Sequence, residues 1–292
     1  MNGFFLAALK SLYENVNCAV KVNNSLSTWF QVDCGVKQGC ILSPLLFALY
    51  IDSLIQELNA KEVGVMYGDG MLSTLLYADD IVLIAPSELN LQSMIKVVEK
   101  WCRSWQMSLN VDKTNIVHFR KKGRGSLRSN FVFTFQSRVI TYSSYYKYLG
   151  LLFNEHLDWD QATEAILAKA NRALTALNHK ARTCGGFHFK TYTMLFNQLI
   201  IPIITTNAFI WGHKEYKSIF RVQYNGMRFL LGVGKACSIV GLFGETGWVP
   251  LSLTIKFCIL RYYNRLSSMG SNRIASKMYT WSNSLADRGK QN

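Results

Sequence analysis

The stretch Leu75-Leu76-Tyr77-Ala78-Asp79-Asp80-Ile81-Val82-Leu83-Ile84 places two adjacent carboxylates inside an otherwise apolar run. A buried, unpaired carboxylate is costly, so such a pair must be matched by cations, solvated in a turn, or bound to a metal. Neighbouring side chains on a strand point to opposite faces, so both can approach one site only at a bend between two strands. Tyr77 to Ile84 is therefore expected to form a hairpin tip. Oxygen-only ligands suit Mg²⁺, which takes one or two carboxylates and completes its shell with water and substrate phosphates. The same dipeptide also reads as a solvent-exposed Asp-Asp turn without a ligand, and the local sequence leaves both readings open.

Upstream, Gly35-Val36-Lys37-Gln38-Gly39-Cys40-Ile41-Leu42-Ser43-Pro44 is a glycine-bearing loop that runs into a helix. Glycines permit close backbone approach, Lys37 offers a phosphate partner and Gln38 can donate to a base or sugar edge. The segment matches neither G-x-x-x-x-G-K-[ST] nor G-x-G-x-x-G, so as a phosphate loop it is weak. Ser43 is expected to be the N-cap of the helix, with Pro44 at its first position. Before the loop, Cys18–Val22 and Trp29–Cys34 flank the turn-forming NNSLS and read as a hairpin. After it, strands are expected at 63–67 and 72–85 around a GDG turn at 68–70. A helix through Leu91, Val98 and Trp105 comes next, then strands at 116–119, 131–135 and 145–153.

Beyond Asn154 the pattern changes. Trp159, Ala162, Ile166, Ala170, Leu174, Leu177 and Ala181 form one helical stripe that stops at Gly185-Gly186. Further helices are expected at 189–208, 215–231, 250–267 and 271–286. The boundary between mixed α/β and all-α character lies near residue 154.

Charge follows the same division. Residues 1–150 carry 15 basic and 11 acidic groups, whereas residues 151–292 carry 17 and 7, and no carboxylate occurs from Ala165 to Lys214. Arg120, Lys121, Lys122, Arg124 and Arg128 form a second basic stretch, interleaved with Gly and Ser as in an exposed loop. The formal net charge of +14 points to a polyanion partner, nucleic acid first, or else to a merely solvated basic surface. With 49% hydrophobic and 17% charged residues the chain is not a disordered one. Seven cysteines without a C-x-x-C pair argue against a disulfide framework or zinc ribbon. The apolar run Leu199–Trp211 is too short to span a membrane and is interrupted by Pro202, so it reads as a buried helix. With no basic leader or cleavage site at the N-terminus, the expectation is an intracellular protein, nuclear or cytoplasmic, neither secreted nor bound to a membrane.

Taken together, GVKQGCILSPLLFALYIDSL (35–54), LLYADDIVLIA (75–85), WCRSWQMSLNVDKTNIVHF (101–119) and YKYLGLLF (146–153) resemble, in order and spacing, the palm of reverse transcriptases of LINE-type, non-long-terminal-repeat retrotransposons. The similarity continues through LDWDQATEAILAKANRALTAL and LFNQLIIPIITTNAFIW into the thumb and the region beyond it. The resemblance implies an α+β fold: an incomplete polymerase palm with a ferredoxin-like sheet at 1–154, thumb-like helices at 155–212 and a C-terminal helical region at 213–292. It implies Asp79 as a Mg²⁺ ligand, with Asp80 beside it supporting the cation or the primer end; Mn²⁺ is a second candidate. Tyr77 would lie near the terminal base pair, and Gly35, Gln38 and Gly39 along the nascent pair and template. Lys113, in the N-x-x-K-T segment at 110–114, would approach the leaving pyrophosphate, although it reads equally as a surface lysine before a strand. Tyr148, Leu149 and Gly150 would grip the primer, or simply belong to a core strand. Arg120, Lys121, Lys122, Lys169 and Arg172 would meet the nucleic-acid backbone. The implied partners are an RNA template, a DNA primer, the RNA/DNA duplex and dNTPs; the sequence sets no oligomeric state.

One part of the family's pattern is missing. The resemblance calls for an upstream palm strand, in a context like F-x-D-x-x-x-A-F, whose Asp ligates both metals of a two-metal site. No such segment is present: Asp33 lies too close to the glycine loop and Asp52 falls within the following helix. The fingers would also precede residue 1. The expectation is an N-terminally truncated copy with exposed apolar surface and severely reduced activity by itself. RNA-directed DNA polymerase and catalytically dead nucleic-acid-binding remnant are the two readings that remain.

Overall fold

A computed structural model of the chain describes residues 3–123 and 128–289; Arg124 of the basic stretch lies outside the described residues. The chain folds as two compact units, Met1–Val65 with Leu72–Trp101, and Met66–Met71 with Cys102–Asn292. Strands and helices are mixed, and the strands pair in small ladders of two or three.

The first unit opens with helix α1 (Gly3–Tyr13), none of whose residues is buried. The expected hairpin is a nested pair. Strand β1 (Asn17–Cys18) pairs with β4 (Phe30–Gln31), and between them β2 (Lys21–Val22) pairs with β3 (Ser25–Leu26), the chain reversing at Asn23 with φ +52°. Helix α2 (Ser43–Asn59) follows; next along the chain β5 (Val65–Tyr67) and β6 (Gly70–Leu72) pair as a hairpin across Gly68-Asp69 whose residues Met66–Met71 belong to the second unit. Strands β7 (Thr74–Tyr77) and β8 (Asp80–Leu83) form the next hairpin and lead to α3 (Glu88–Ser104). Ser87 caps α3, its hydroxyl accepting from the Asn90 amide, and Glu88 in the first turn suits the positive end of the helix dipole.

The apolar residues of α2 and α3 recur at helical spacing, and Ile51, Leu54, Leu58, Met94, Ile95, Val98 and Trp101 are buried. The Trp101 indole donates to Ser53 Oγ at 2.8 Å and meets the Tyr50 ring edge-on with centroids 5.8 Å apart. Other apolar side chains of this unit face outward: Phe4, Trp29, Ile41, Leu45 and Leu49 are all exposed. Ser43 does not act as the expected N-cap. It is the first residue of α2 and makes no capping bond; its buried hydroxyl donates instead to the Lys37 carbonyl.

In the second unit a 3₁₀ turn (Val111–Lys113) leads to β9 (Asn115–Ile116), β10 (Phe133–Phe135) and β11 (Arg138–Tyr142). Strand β11 pairs with β10 antiparallel and with β9 parallel. Strands β12 (Tyr145–Tyr148) and β13 (Leu151–Asn154) close a tight hairpin. The helices are α4 (Asp160–Thr183), α5 (Phe189–Leu199), α6 (Ile201–Thr205), α7 (Ala208–Trp211), α8 (Lys217–Leu231), α9 (Ile239–Thr246), α10 (Leu251–Ser267) and α11 (Ile274–Gly289). The stripe Ala162, Ile166, Ala170, Leu174, Leu177 of α4 is buried with Tyr192, Phe196, Ile204, Trp211, Ile219, Met227, Trp248 and Ile255 in one core.

The expected helix over 189–208 is broken. Pro202, which lacks an amide donor, sits in the first turn of α6, and Asn207 turns left-handed with φ +52° before α7, so Leu199–Trp211 holds the end of α5 and two short helices rather than one helix. No helix among the described residues is long and apolar enough to cross a membrane. All seven cysteines are free thiols.

Candidate functional site

The first unit holds Gly35, Gln38, Gly39, Tyr77, Asp79 and Asp80; the other candidate residues lie in the second. In the glycine loop Gly35 has φ +87° and Gly39 φ +79°, conformations that L side chains rarely adopt, and a Cβ at either would enter open space. The backbone, not crowding, is thus what requires glycine here. The loop is latched from behind: Ser43 Oγ donates to the Lys37 carbonyl at 2.6 Å, the Tyr13 hydroxyl lies 3.3 Å from Ser43 Oγ, and Lys37 Nζ sits 5.6 Å from the centre of the Tyr13 ring. Gln38 is exposed. The Leu42 backbone amide draws the Cys40 thiol below its ordinary range.

The carboxylates stand at the tip of the β7–β8 hairpin. Tyr77 and Asp80 are the last cross-strand pair, and Ala78-Asp79 is the two-residue connection. Ala78 has φ +52°, a left-handed position without glycine. Tyr77, 62% exposed, and Asp80 project from the same face of the ladder, a relationship that adjacent numbering does not reveal. Both carboxylates are exposed. A donor set of two adjacent carboxylates fits the share of a Mg²⁺ shell that protein ligands ordinarily supply. It does not by itself furnish a two-metal site, and among the described residues no group of three or more His, Cys, Asp or Glu gathers in one place.

Lys113 ends the 3₁₀ turn and is exposed. Its backbone is fixed by Asn110, whose side-chain oxygen accepts from the Lys113 amide at 3.2 Å, while Thr114 Oγ1 donates to the Asn110 carbonyl at 2.8 Å. The N-x-x-K-T spacing is therefore a local cap that holds the lysine, whatever the lysine does. Tyr148, Leu149 and Gly150 form the β12–β13 tip. Leu149 with φ +46° and Gly150 with φ +87° make the two-residue connection, the double positive φ of a type I′ hairpin turn. Asn207 Nδ2 donates to the Leu149 carbonyl at 3.4 Å.

Among the basic residues, Lys169 and Arg172 are exposed on α4, and Lys121 and Lys122 are exposed beyond β9. Arg120 is ion-paired with Glu155 at 3.0 Å, and Lys122 lies 3.7 Å from Asp158. Sequence reading missed Glu155 because its partners Arg120 and Arg128 are 35 and 27 residues away along the chain.

Residues 3–153 match the model of the family described as reverse transcriptase (RNA-dependent DNA polymerase). The chain is 25% identical over 283 residues to a probable RNA-directed DNA polymerase from transposon X-element of Drosophila melanogaster, covering 94% of this chain and 30% of that protein. It is 29% identical over 159 residues to a retrovirus-related Pol polyprotein from type-1 retrotransposable element R2 of Popillia japonica, covering 53% and 26%. To the RNA-directed DNA polymerase from mobile element jockey of Drosophila funebris it is 25% identical over 181 residues, covering 60% and 18%. The chain thus spans less than a third of the length of each of these relatives.

Proposed function

The chain belongs to the reverse transcriptase (RNA-dependent DNA polymerase) family, in its LINE-type retrotransposon branch, and from this we propose that it serves RNA-directed DNA synthesis on an RNA template and DNA primer. In this reading residues 1–154 are a partial palm whose small ladders belong to a ferredoxin-like sheet. Residues 155–212 are the thumb and 213–292 a C-terminal helical region. The setting is intracellular, nuclear or cytoplasmic. The observation that carries the proposal is the exposed Asp79-Asp80 pair at a hairpin tip in a chain of this family.

Asp79 and Asp80 would hold Mg²⁺, with Mn²⁺ as an alternative, and the cation would supply neutralisation of charge on the reacting phosphate and on the attacking and leaving oxygens. Tyr77, on the same face as Asp80, packs near the terminal base pair. Gly35 and Gly39 let the backbone approach the nascent pair, and Gln38 donates to a base or sugar edge. Lys113, held by the Asn110 cap, neutralises or protonates the leaving pyrophosphate. Tyr148, Leu149 and Gly150 grip the primer strand. Lys121, Lys122, Lys169 and Arg172 hold the duplex by its phosphates, which gives salt-sensitive and largely sequence-independent affinity, whereas the expected phosphate contact of Arg120 gives way to its ion pair with Glu155. With two carboxylates where a two-metal site calls for a further ligand, the chain by itself is expected to turn over poorly or not at all.

The test is Mg²⁺-dependent dNTP incorporation on a primed RNA template, together with binding to an RNA/DNA hybrid. The chain by itself is expected to bind the hybrid with affinity that falls steeply between about 50 and 200 mM salt, and to give no detectable extension. Extension abolished by Asp79→Ala overturns the inactive reading and establishes the polymerase. A flat salt profile overturns the nucleic-acid reading.

A further inference from the structure

Residues 117–123, which leave β9, and residues 128–132, which lead into β10, form two arms that are drawn together at a neck. Ser129 donates its amide to His118 Nδ1 at 3.1 Å. Above that link, Arg120 on the outgoing arm and Arg128 on the returning arm both end on Glu155. Arg120 Nη2 donates to Oε1 at 3.0 Å, and Arg128 donates to Oε2 from Nη2 at 2.7 Å and from Nε at 3.2 Å. The backbone joins in, with the Arg120 amide donating to the Glu155 carbonyl at 2.9 Å and His156 Nδ1 lying 3.0 Å from the Arg120 carbonyl.

The Glu155 side chain is 11% exposed, and those of Arg120 and Arg128 are 21% and 35% exposed. Charged hydrogen bonds shielded in this way are stronger and more directional than surface ion pairs. One carboxylate against two guanidiniums leaves the neck with a net positive charge. Lys121 and Lys122 come directly after it, Lys122 with its side chain 76% exposed.

We propose that Glu155 is a positioning residue for nucleic-acid binding: it clamps the two arms of the basic stretch so that Lys121 and Lys122 meet the phosphate backbone from a fixed base. The proposal rests on the reading that the chain binds nucleic acid. Its content is a sign that charge alone gets wrong. Removing a carboxylate from a basic surface should tighten polyanion binding, because net charge rises. A clamp predicts the reverse, because the separated arms must be ordered again when the ligand binds.

The experiment measures affinity for an RNA/DNA hybrid from about 50 to 200 mM salt for the wild-type chain, Glu155→Gln, Glu155→Asp and the double variant Lys121→Ala with Lys122→Ala. Glu155→Gln is expected to bind about tenfold more weakly in spite of its extra positive charge, with a log–log salt slope shallower by about 1–2, as for the double lysine variant. Trypsin cleavage after Arg120, Lys121, Lys122 and Arg128 should accelerate in Glu155→Gln, with sites outside this basic stretch unchanged. Where Glu155→Gln does not fold, Glu155→Asp decides, since it keeps the charge but cannot reach both guanidiniums; it should bind more weakly than wild type. Wild-type or tighter binding by a folded Glu155 variant, with the lysine variant weakened, overturns the clamp. Wild-type protein that shows no salt-dependent binding overturns the underlying nucleic-acid reading instead.

Discussion

The Ser43 hydroxyl and the Lys37 carbonyl, 2.6 Å apart, tie the glycine-bearing loop to the first turn of the helix after it. The serine is buried, and its loss leaves the Lys37 carbonyl with only the longer bond from the Cys40 amide at 3.3 Å. Ser43→Ala is expected to cost about 1–2 kcal/mol, read as a lower urea midpoint at unchanged slope. Ser43→Thr, which keeps the hydroxyl, should recover most of it.

The tips of the β7–β8 and β12–β13 hairpins each carry a non-glycine residue in the left-handed region, Ala78 at +52° and Leu149 at +46°. Each such residue costs about 1 kcal/mol relative to glycine. Ala78→Gly and Leu149→Gly should therefore each raise stability by roughly 0.5–1 kcal/mol, less whatever the added freedom gives the unfolded chain. Ala78→Val should lower it. A drop in the denaturation midpoint for Ala78→Gly would contradict this account of the tip.

Gln223 is buried in α8 and serves two backbone groups at once. Its Nε2 donates to the Val249 carbonyl at 2.8 Å, and its Oε1 accepts from the Leu251 amide at 2.9 Å, at the start of α10. Gln223→Leu keeps the volume and strands both groups, at a cost of about 2–3 kcal/mol by calorimetry or denaturant.

Gly226 packs where a Cβ would come within 2.5 Å of Phe196 Cε2. The α5 and α8 helices approach at that point because one of them has no side chain there. Gly226→Ala should cost about 1–3 kcal/mol through overpacking, and Gly226→Ala combined with Phe196→Leu should recover part of it.

The Arg128 hydrogen bond, with Arg120 adding to it, holds the Glu155 carboxyl below the ordinary glutamate range. The stability this contributes is fully present above that range and is lost as pH falls through the lower value of the folded state. The stability difference between wild type and Glu155→Gln should therefore be widest near neutral pH and close as the solution is acidified below the ordinary glutamate range. Chemical denaturation at a series of pH values measures it. A gap that stays constant into acid would show that the two arginines do not act through the charged carboxylate.

The β7–β8 hairpin and helix α4 were legible because their signals are local: adjacent aspartates that no strand interior tolerates, and a buried stripe that stops at Gly185-Gly186. Two elements were not. In β11 only Ile140 is buried while Val139 faces out, so Arg138–Tyr142 shows no clean alternation. In α9 the glycines at 241 and 244 lower helix propensity, and the helix forms because Ser238 caps it through the Gly241 amide and Leu242 is buried. Glu155 lay hidden for a third reason, since its chemistry arises from residues that only folding brings to it. At the candidate site, the positions of the carboxylates could be read from sequence, but not the pairing of Tyr77 with Asp80 across the ladder.

Helix α4 buries one stripe and leaves Lys169, Arg172 and Lys180 exposed on another. At about 1.5 Å of rise per residue, Lys169 and Lys180 stand roughly 16 Å apart along the axis. That interval matches about five base-pair steps of a duplex at 3.4 Å each. Under the proposed contact of these cations with a duplex, the helix would set a shortest length for its ligand: a duplex of three or four pairs would not reach both ends of it.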